Sequence, residues 1–259
     1  MSIVPTKMNK VNTEVTPQDI MMIVDESGSM ESMGQEPVMA VNAFISDQKK
    51  VSTGDGTTFT LWKFNSKVVK VLDDVPIQDV GEFGDYEPDL MTALNDAVCM
   101  AIKNKLLCEK NRNVVCVILT DGIENASQTF KSSDLNECIS SAKKEYGWTF
   151  IYLGANQDAF SVGGSIGVGY HNCATFDSSI PGELTRLARQ TSCAVSEYRR
   201  ASMTSQMDGT DMPTMNLRSA TCPVLSTTDL PKIGVHRNVT NLPPMPPSFR
   251  SGTPRKLRR

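Results

Sequence analysis

Two short apolar runs constrain the fold of this chain more than any other feature. Residues 20–24 read IMMIV and residues 114–120 read VVCVILT. Each is long enough for one strand and lacks the alternation of a half-exposed strand. Strands that are apolar on both faces are typical of a central parallel sheet covered by helices on both sides. The first run leads into Asp25 and the second into Asp121, so both carboxylates are predicted at the same edge of the sheet.

Strand-like and helix-like patterns alternate along most of the chain. Apolar stripes at helical spacing follow Pro37, Thr92, Ser133 and Pro181, and strand-like runs lie between them. The stretch TTFTLWKF is followed by a short turn and VVKVLDD, which predicts a hairpin and therefore one antiparallel edge strand. We expect an α/β fold with a doubly wound, mostly parallel six-stranded sheet and helices on both faces.

The alternation stops near residue 203. Residues 204–259 are rich in Met, Ser, Thr and Pro, and they carry 8 Lys or Arg against 3 Asp or Glu, although the whole chain has a net charge of −3. We predict an N-terminal arm at 1–17, a folded domain at 18–203 and a tail at 204–259 that is extended or disordered alone. The basic tail could contact nucleic acid or an acidic protein surface, whereas the acidic body is not expected to bind nucleic acid.

Composition also argues against several classes of protein. No apolar run reaches the length of a membrane span and no signal-peptide pattern opens the chain, so we expect neither membrane insertion nor classical secretion. Seven cysteines without CxxC spacing are expected to be reduced thiols of an intracellular, cytoplasmic protein or a virion component. The chain has only two histidines, and Ser27 has no evident His partner, so we predict that it is not an enzyme.

Oxygen-bearing side chains follow both apolar runs. Asp25, Ser27 and Ser29 alternate after the first run, and Asp121 follows the second. Carboxylates and hydroxyls are the ligands that hard cations such as Mg²⁺ prefer. The same residues are also common in loops that cap helices. The residues alone therefore leave two interpretations, a shared cation site and a plain capping loop.

Three motifs together resemble the metal-ion-dependent adhesion site of von Willebrand factor A-type domains. They are DESGS, MTALNDA and LTDGIENAS, in that order along the chain. The resemblance covers roughly residues 18–201 and implies the strand order 3-2-1-4-5-6. It also implies a divalent ion, Mg²⁺ before Mn²⁺ or Ca²⁺, whose coordination is completed by an Asp or Glu of a partner protein. The metal ligands implied by the resemblance are Asp25, Ser27, Ser29, Thr92 and Asp121.

We further expect Glu26, Met30 and Glu124 to form a partner-binding rim around this ion. The stretch YLGANQDAF at 152–160 is similar to bacterial, phage or viral members of the family. The main hypothesis is a cation-dependent protein-binding module. One alternative is a structural component of a large assembly, viral or phage, with the tail as a tether. Another is an accessory subunit of an ATPase-driven machine, in which the partner would hydrolyse the nucleotide.

Overall fold

The apolar runs of the sequence form a single sheet at the centre of the molecule. The structure, a computed structural model, describes residues 18–52, 54–107, 113–156 and 158–218. Within them the chain forms six strands, which are β1 (Gln18–Asp25), β2 (Thr58–Phe64), β3 (Val68–Pro76), β4 (Asn113–Thr120), β5 (Thr149–Ala155) and β6 (Cys173–Phe176).

The strands follow the order β3-β2-β1-β4-β5-β6. All neighbouring pairs are parallel except β2 and β3, which form the antiparallel edge. The predicted fold class is therefore confirmed. From β1 the chain crosses to β2 on one side, and from β4 it crosses to β5 on the other. Such a switch point opens a crevice at the carboxyl ends of the two central strands, which is where α/β sheets bind ligands.

Helices cover both faces of the sheet, which explains why the central strands are continuously apolar. Ile20, Met22 and Val24 pack on one face against the first and last helices. Met21 and Ile23 point to the other face and pack against the three helices between them. The helices are α1 (Glu36–Val51), α2 (Leu94–Leu107), α3 (Ser132–Tyr146), α4 (Ala159–Ser165) and α5 (Glu183–Asp208).

Regular structure continues past the predicted boundary at residue 203. Helix α5 continues to Asp208 and ends at Gly209, which adopts a left-handed conformation. Met215 and Leu217 are then buried in the core. The Ser-, Thr- and Met-rich stretch after residue 203 contains no Pro or Gly before Gly209, so the helix continues although its apolar period has ended. The predicted arm at 1–17 and residues 219–259 of the predicted tail lie outside the described residues.

The cysteines differ in their redox state. Cys99, Cys116, Cys138 and Cys173 carry free thiols, whereas Cys193 is disulfide-bonded. The expectation of reduced thiols is therefore wrong at Cys193, which lies half-buried on α5 rather than deep in the core. Within the described ranges, no helix combines the length and the apolar character that crossing a bilayer would require.

Candidate metal centre

The loop after β1 presents one carboxylate and two hydroxyls close together. Asp25 is the last residue of β1 and is fully buried. The backbone N–H of Ser27 donates to Asp25 Oδ1 at 2.7 Å, which folds the loop back over the strand end. Ser27 Oγ and Ser29 Oγ lie 3.1 Å apart as a hydrogen-bonded pair. The alternating Asp, Ser and Ser therefore point their oxygens to one side of the loop.

Two hydrogen bonds join this loop to the end of β4. Ser29 Oγ donates to Asp121 Oδ1 at 2.6 Å. Thr120 Oγ1, from the last residue of β4, donates to Asp25 Oδ2 at 2.6 Å. The carboxyl ends of β1 and β4 thus lie side by side, and their acidic residues face the same space.

Thr92 reaches this space from the residues just before α2. A Cβ atom added at Gly122 would lie 2.5 Å from Thr92 Oγ1 and 3.2 Å from Asp25 Oδ2. Thr92 Oγ1 therefore faces the carboxylate, and it can approach because Gly122 has no side chain. Backbone contacts fix this approach, since Thr92 N–H donates to Asn125 Oδ1 at 2.8 Å and Thr92 O accepts from Asn125 N–H at 3.0 Å.

Neither Glu26 nor Met30 lies on the rim where sequence analysis placed them. Glu26 is 6% exposed, pairs with Lys63 Nζ at 3.1 Å and accepts the backbone N–H of Glu87 at 2.7 Å. Met30 is fully buried in the core. Glu26 turns inward because Lys63, near the end of the neighbouring strand β2, neutralises its charge there. The 3-10 helix Gly28–Met33 turns Met30 back toward the sheet.

Glu124 is half-buried and its carboxylate is used within the fold. It accepts the N–H of Asn95 at 2.8 Å, and both the N–H and the hydroxyl of Ser127, at 2.8 and 2.7 Å. These bonds fasten the loop after β4 to the first turn of α2. Glu124 therefore positions Thr92 and Asp121 relative to each other and does not offer a free carboxylate to a partner.

Three further residues support the centre and were missed by sequence reasoning. Thr120 holds Asp25, Gly122 makes room for Thr92, and Tyr86 donates its hydroxyl to the backbone oxygen of Asp25 at 2.7 Å. Thr120 and Gly122 flank Asp121 in the sequence, so their position beside a candidate ligand was a usable signal. Tyr86 lies in a loop without periodicity, and nothing local in the sequence indicates its contact.

The two acidic residues of the centre are electrostatically uncompensated. Burial raises the pKa of Asp25 to about 6, and the neighbouring charge of Asp121 acts in the same direction. Burial also raises the pKa of Asp121 above its usual value. Among the described residues no Lys or Arg forms an ion pair with either carboxylate. A bound cation would offset the cost of burying these charges.

The available donors fit a hard divalent cation. Two carboxylates and three hydroxyls, all oxygens, lie at the carboxyl ends of β1 and β4 and just before α2, and Mg²⁺, Mn²⁺ and Ca²⁺ prefer such ligands. Within the part of the chain that the structure describes, no cluster of three or more His, Cys, Asp or Glu side chains could hold a metal ion. A cation at this centre would therefore depend on hydroxyl ligands, which keep the total negative charge low.

Comparison with known proteins identifies the fold. No protein-family model and no curated protein sequence matches the chain. Among solved structures, proximal thread matrix protein 1 from the mussel byssus matches 67% of this chain and 46% of its own, with 16% identity and a TM-score of 0.50. A von Willebrand factor type A protein from Catenulispora acidiphila matches 72% of this chain and 43% of its own, with 15% identity and a TM-score of 0.50.

The pilus adhesin SpaC from Lactobacillus rhamnosus GG gives a similar result, with 14% identity, a TM-score of 0.50 and coverage of 75% of this chain and 31% of that one. The chain spans less than half the length of each of these three proteins. At such low identity the likeness is one of fold. The fold is that of von Willebrand factor type A domains, as the sequence motifs imply. The expected affinity to bacterial, phage or viral members stays a prediction.

Proposed function

We propose that this chain is a non-enzymatic protein-binding module that depends on a divalent cation. In this proposal Mg²⁺ is held by Asp25, Ser27, Ser29, Thr92 and Asp121, and an Asp or Glu of a partner protein completes its coordination. The observation that carries the proposal is the joining of the two strand ends by the bonds from Ser29 to Asp121 and from Thr120 to Asp25. These bonds bring oxygens from separate loops to one space.

The ligand set explains how such a module would recognise a carboxylate. The chain supplies only two acidic groups, and hydroxyls supply the rest, so a divalent ion keeps an attraction for a further anionic oxygen. The ion supplies the electrostatic bridge between the two proteins. The residues of the chain hold it at the mouth of the crevice, and the core below them is closed to water. Mn²⁺ or Ca²⁺ could replace Mg²⁺ because both take the same oxygen ligands.

The names of two structural neighbours agree with an interaction role. One is called a thread matrix protein and another a pilus adhesin. These names describe those proteins alone. For this chain they support the proposal of a binding module rather than a catalyst. The proposal places no chemical reaction at the centre, and the carboxylates act as ligands.

Metal binding is tested by replacing Asp25. Thermal unfolding is followed with increasing Mg²⁺ after chelator treatment. At a hundredfold excess over its dissociation constant, Mg²⁺ should stabilise the unaltered chain by about 2.7 kcal/mol. Asp25→Asn should remove this gain, because the amide lacks the negative charge that would hold the ion. Asp73→Asn, an exposed change on β3, should keep the full gain. A full Mg²⁺ gain in Asp25→Asn would contradict the proposal.

Carboxylate recognition is tested with the same proteins. A short peptide with a central Asp, immobilised on a biosensor, should retain the unaltered chain in Mg²⁺ and release it when chelator is added. The matching peptide with Asn in place of Asp should not retain it, because a neutral amide is a weaker ligand for a hard cation. Equal retention by both peptides would show that no carboxylate completes the coordination.

A further inference from the structure

Leu90 has a strained backbone conformation and an exposed apolar side chain, and the fold explains neither. Its φ angle is +65°, in the left-handed region that disfavours bulky side chains. The other described non-glycine residues with positive φ are Asp74 and Asn156, whose side-chain types tolerate this conformation. Leu90 is also 51% exposed, so its side chain gains little from burial. Asn or Gly would be less strained at this position, and a leucine there is explained more readily by a contact with another molecule.

Met91 and Ile123 are exposed apolar residues beside the same centre. Met91 is 51% exposed and directly precedes Thr92, and Ile123 is 78% exposed and follows Asp121 by two residues. Leu90, Met91 and Ile123 therefore flank two of the candidate metal ligands, and we call them the apolar rim.

Hydrogen bonds hold two residues of the apolar rim, Leu90 and Met91, in place. The N–H of Gly28 donates to Leu90 O at 3.1 Å, and the N–H of Met91 donates to Ser66 Oγ at 3.2 Å. A Cβ atom at Gly28 would lie 3.3 Å from Leu90 O, so the two loops pack as closely as glycine permits. The backbone of Leu90 is thus fixed to the metal-binding loop, and the backbone of Met91 is fixed to the turn between β2 and β3.

Apolar side chains share the exposed surface around the centre with the acidic Glu87 and Asp89. The carboxylates of Glu26 and Glu124 are both turned into the fold, where Lys63 and backbone N–H groups bind them. The residues that remain exposed beside the ligands include three large apolar side chains. A carboxylate reaching the ion would place its own neighbouring residues against these side chains.

We propose that the apolar rim selects a partner segment in which the metal-binding Asp or Glu is flanked by bulky apolar side chains. This inference rests on the proposed function, because it assumes that a carboxylate reaches the cation. Burial of apolar surface around the carboxylate supplies binding free energy that a metal–carboxylate contact alone lacks. An isolated acidic residue in a polar segment would therefore bind only weakly.

The test uses immobilised peptides with a central Asp flanked on both sides by Leu or by Ser. In Mg²⁺ the Leu-flanked peptide should bind about tenfold more tightly, the effect expected from burying about one large apolar side chain. The variant Leu90→Asn/Ile123→Thr leaves only Met91 of the apolar rim, so it should lose most of this preference. It should not be less stable, because Asn tolerates positive φ and Thr keeps the β-branch. Its affinity for Mg²⁺, measured by calorimetry, should be unchanged.

The matched control changes the same residue types away from the centre. Leu107→Asn/Ile180→Thr replaces exposed side chains at the far end of α2 and in the loop after β6, and it should keep the preference for the Leu-flanked peptide. If the Leu-flanked and Ser-flanked peptides bind equally tightly in Mg²⁺, the apolar rim does not select the partner and the inference is overturned. The proposed function would stand in that case. If no Asp peptide binds while Mg²⁺ does, both proposals are overturned. An undiminished preference for the Leu-flanked peptide in the rim variant also overturns the inference.

Discussion

Gly122 sets the separation between Thr92 and Asp25 in the candidate metal centre. Its neighbour Thr120 donates to Asp25 and accepts the N–H of Gly122 at 3.1 Å, so the backbone at Gly122 is held tightly against the centre. With this backbone fixed, the space between Thr92 and Asp25 is open only because Gly122 has no Cβ atom. A single methyl group at Gly122 should therefore act on the centre directly.

Gly122→Ala should weaken metal binding and stability together. The new Cβ atom would lie 2.5 Å from Thr92 Oγ1, closer than atoms pack, so Thr92 or the loop must move. We expect a loss of about 1–3 kcal/mol in the free energy of unfolding, as for other overpacked sites, and at least about a tenfold loss in Mg²⁺ affinity. Denaturant unfolding and calorimetry measure the two effects.

Gly81→Ala is the control, because nothing lies within 4 Å of a Cβ atom added there. It should leave both quantities unchanged. Unaltered Mg²⁺ affinity in Gly122→Ala would mean that Thr92 is not a ligand, since the substitution displaces its hydroxyl before any other group.

At the scale of elements, Asp96 joins α2 to the loop that carries Asp121. Its carboxylate accepts the backbone N–H groups of Gln128 at 2.8 Å, Thr129 at 3.0 Å and Phe130 at 2.8 Å. With Glu124 and Asn125, it fixes the loop after β4 to the start of α2. These bonds fix the relative position of the candidate ligands Thr92 and Asp121.

The elements could be predicted from the sequence, whereas these contacts could not. Apolar periodicity is a local property, so the strands and helices follow from it. The end of α3 is also a local feature, because Gly147 adopts the left-handed conformation that glycine commonly takes after a helix. The bonds of Asp96 depend on a loop more than 30 residues away, and in the sequence Asp96 is simply a polar residue on a helix. Glu26 and Met30 were misplaced for the same reason, because their orientation is set by Lys63 and the core.

Asp96→Asn should loosen the loop after β4. Asn keeps one acceptor oxygen and loses the charge, so three backbone donors compete for a weaker partner. We expect a loss of about 1–3 kcal/mol in stability, faster amide hydrogen exchange in residues 121–130 and weaker Mg²⁺ binding. Asp158→Asn is the control, since Asp158 also accepts two backbone N–H groups but at the start of α4. Unchanged exchange at 121–130 would show that Asp96 does not hold the loop.

At the scale of the whole molecule, the candidate centre and the buried hydrogen bonds of Arg199 lie at opposite ends of the sheet. The centre lies at the carboxyl ends of β1 and β4, whereas Arg199 of α5 contacts residues just before β2 begins. The five candidate ligands could be predicted because each lies in a motif next to a strand end or a helix start. The burial of Met215 and Leu217 could not, because they are isolated apolar residues without a period.

Arg199 should stabilise the fold without affecting metal binding. It is 3% exposed and donates to Gln48 Oε1 and Ser52 Oγ, both at 2.8 Å, and to Asp55 Oδ2 at 2.7 Å. Arg199→Met would leave the carboxylate of Asp55 without this cation, and removing one partner of a buried pair costs about 3–5 kcal/mol. Urea unfolding should show this loss. Calorimetry on the folded variant should give an unchanged Mg²⁺ affinity, because the substitution is remote from β1 and β4.

Arg189→Met is the control for Arg199→Met, because it also removes a paired positive charge from α5 but from a more exposed position. Arg189 lies on the same helix and pairs with Asp47 at 2.9 Å, but its side chain is 32% exposed. Water screens such a pair, so its loss should cost no more than about 1 kcal/mol. If Arg199→Met weakened Mg²⁺ binding while Arg189→Met did not, α5 would have to transmit strain along the sheet to the centre. Equal Mg²⁺ affinity in both variants would mean instead that the centre is held by its own loops, as the bonds from Thr120, Asp96 and Glu124 predict.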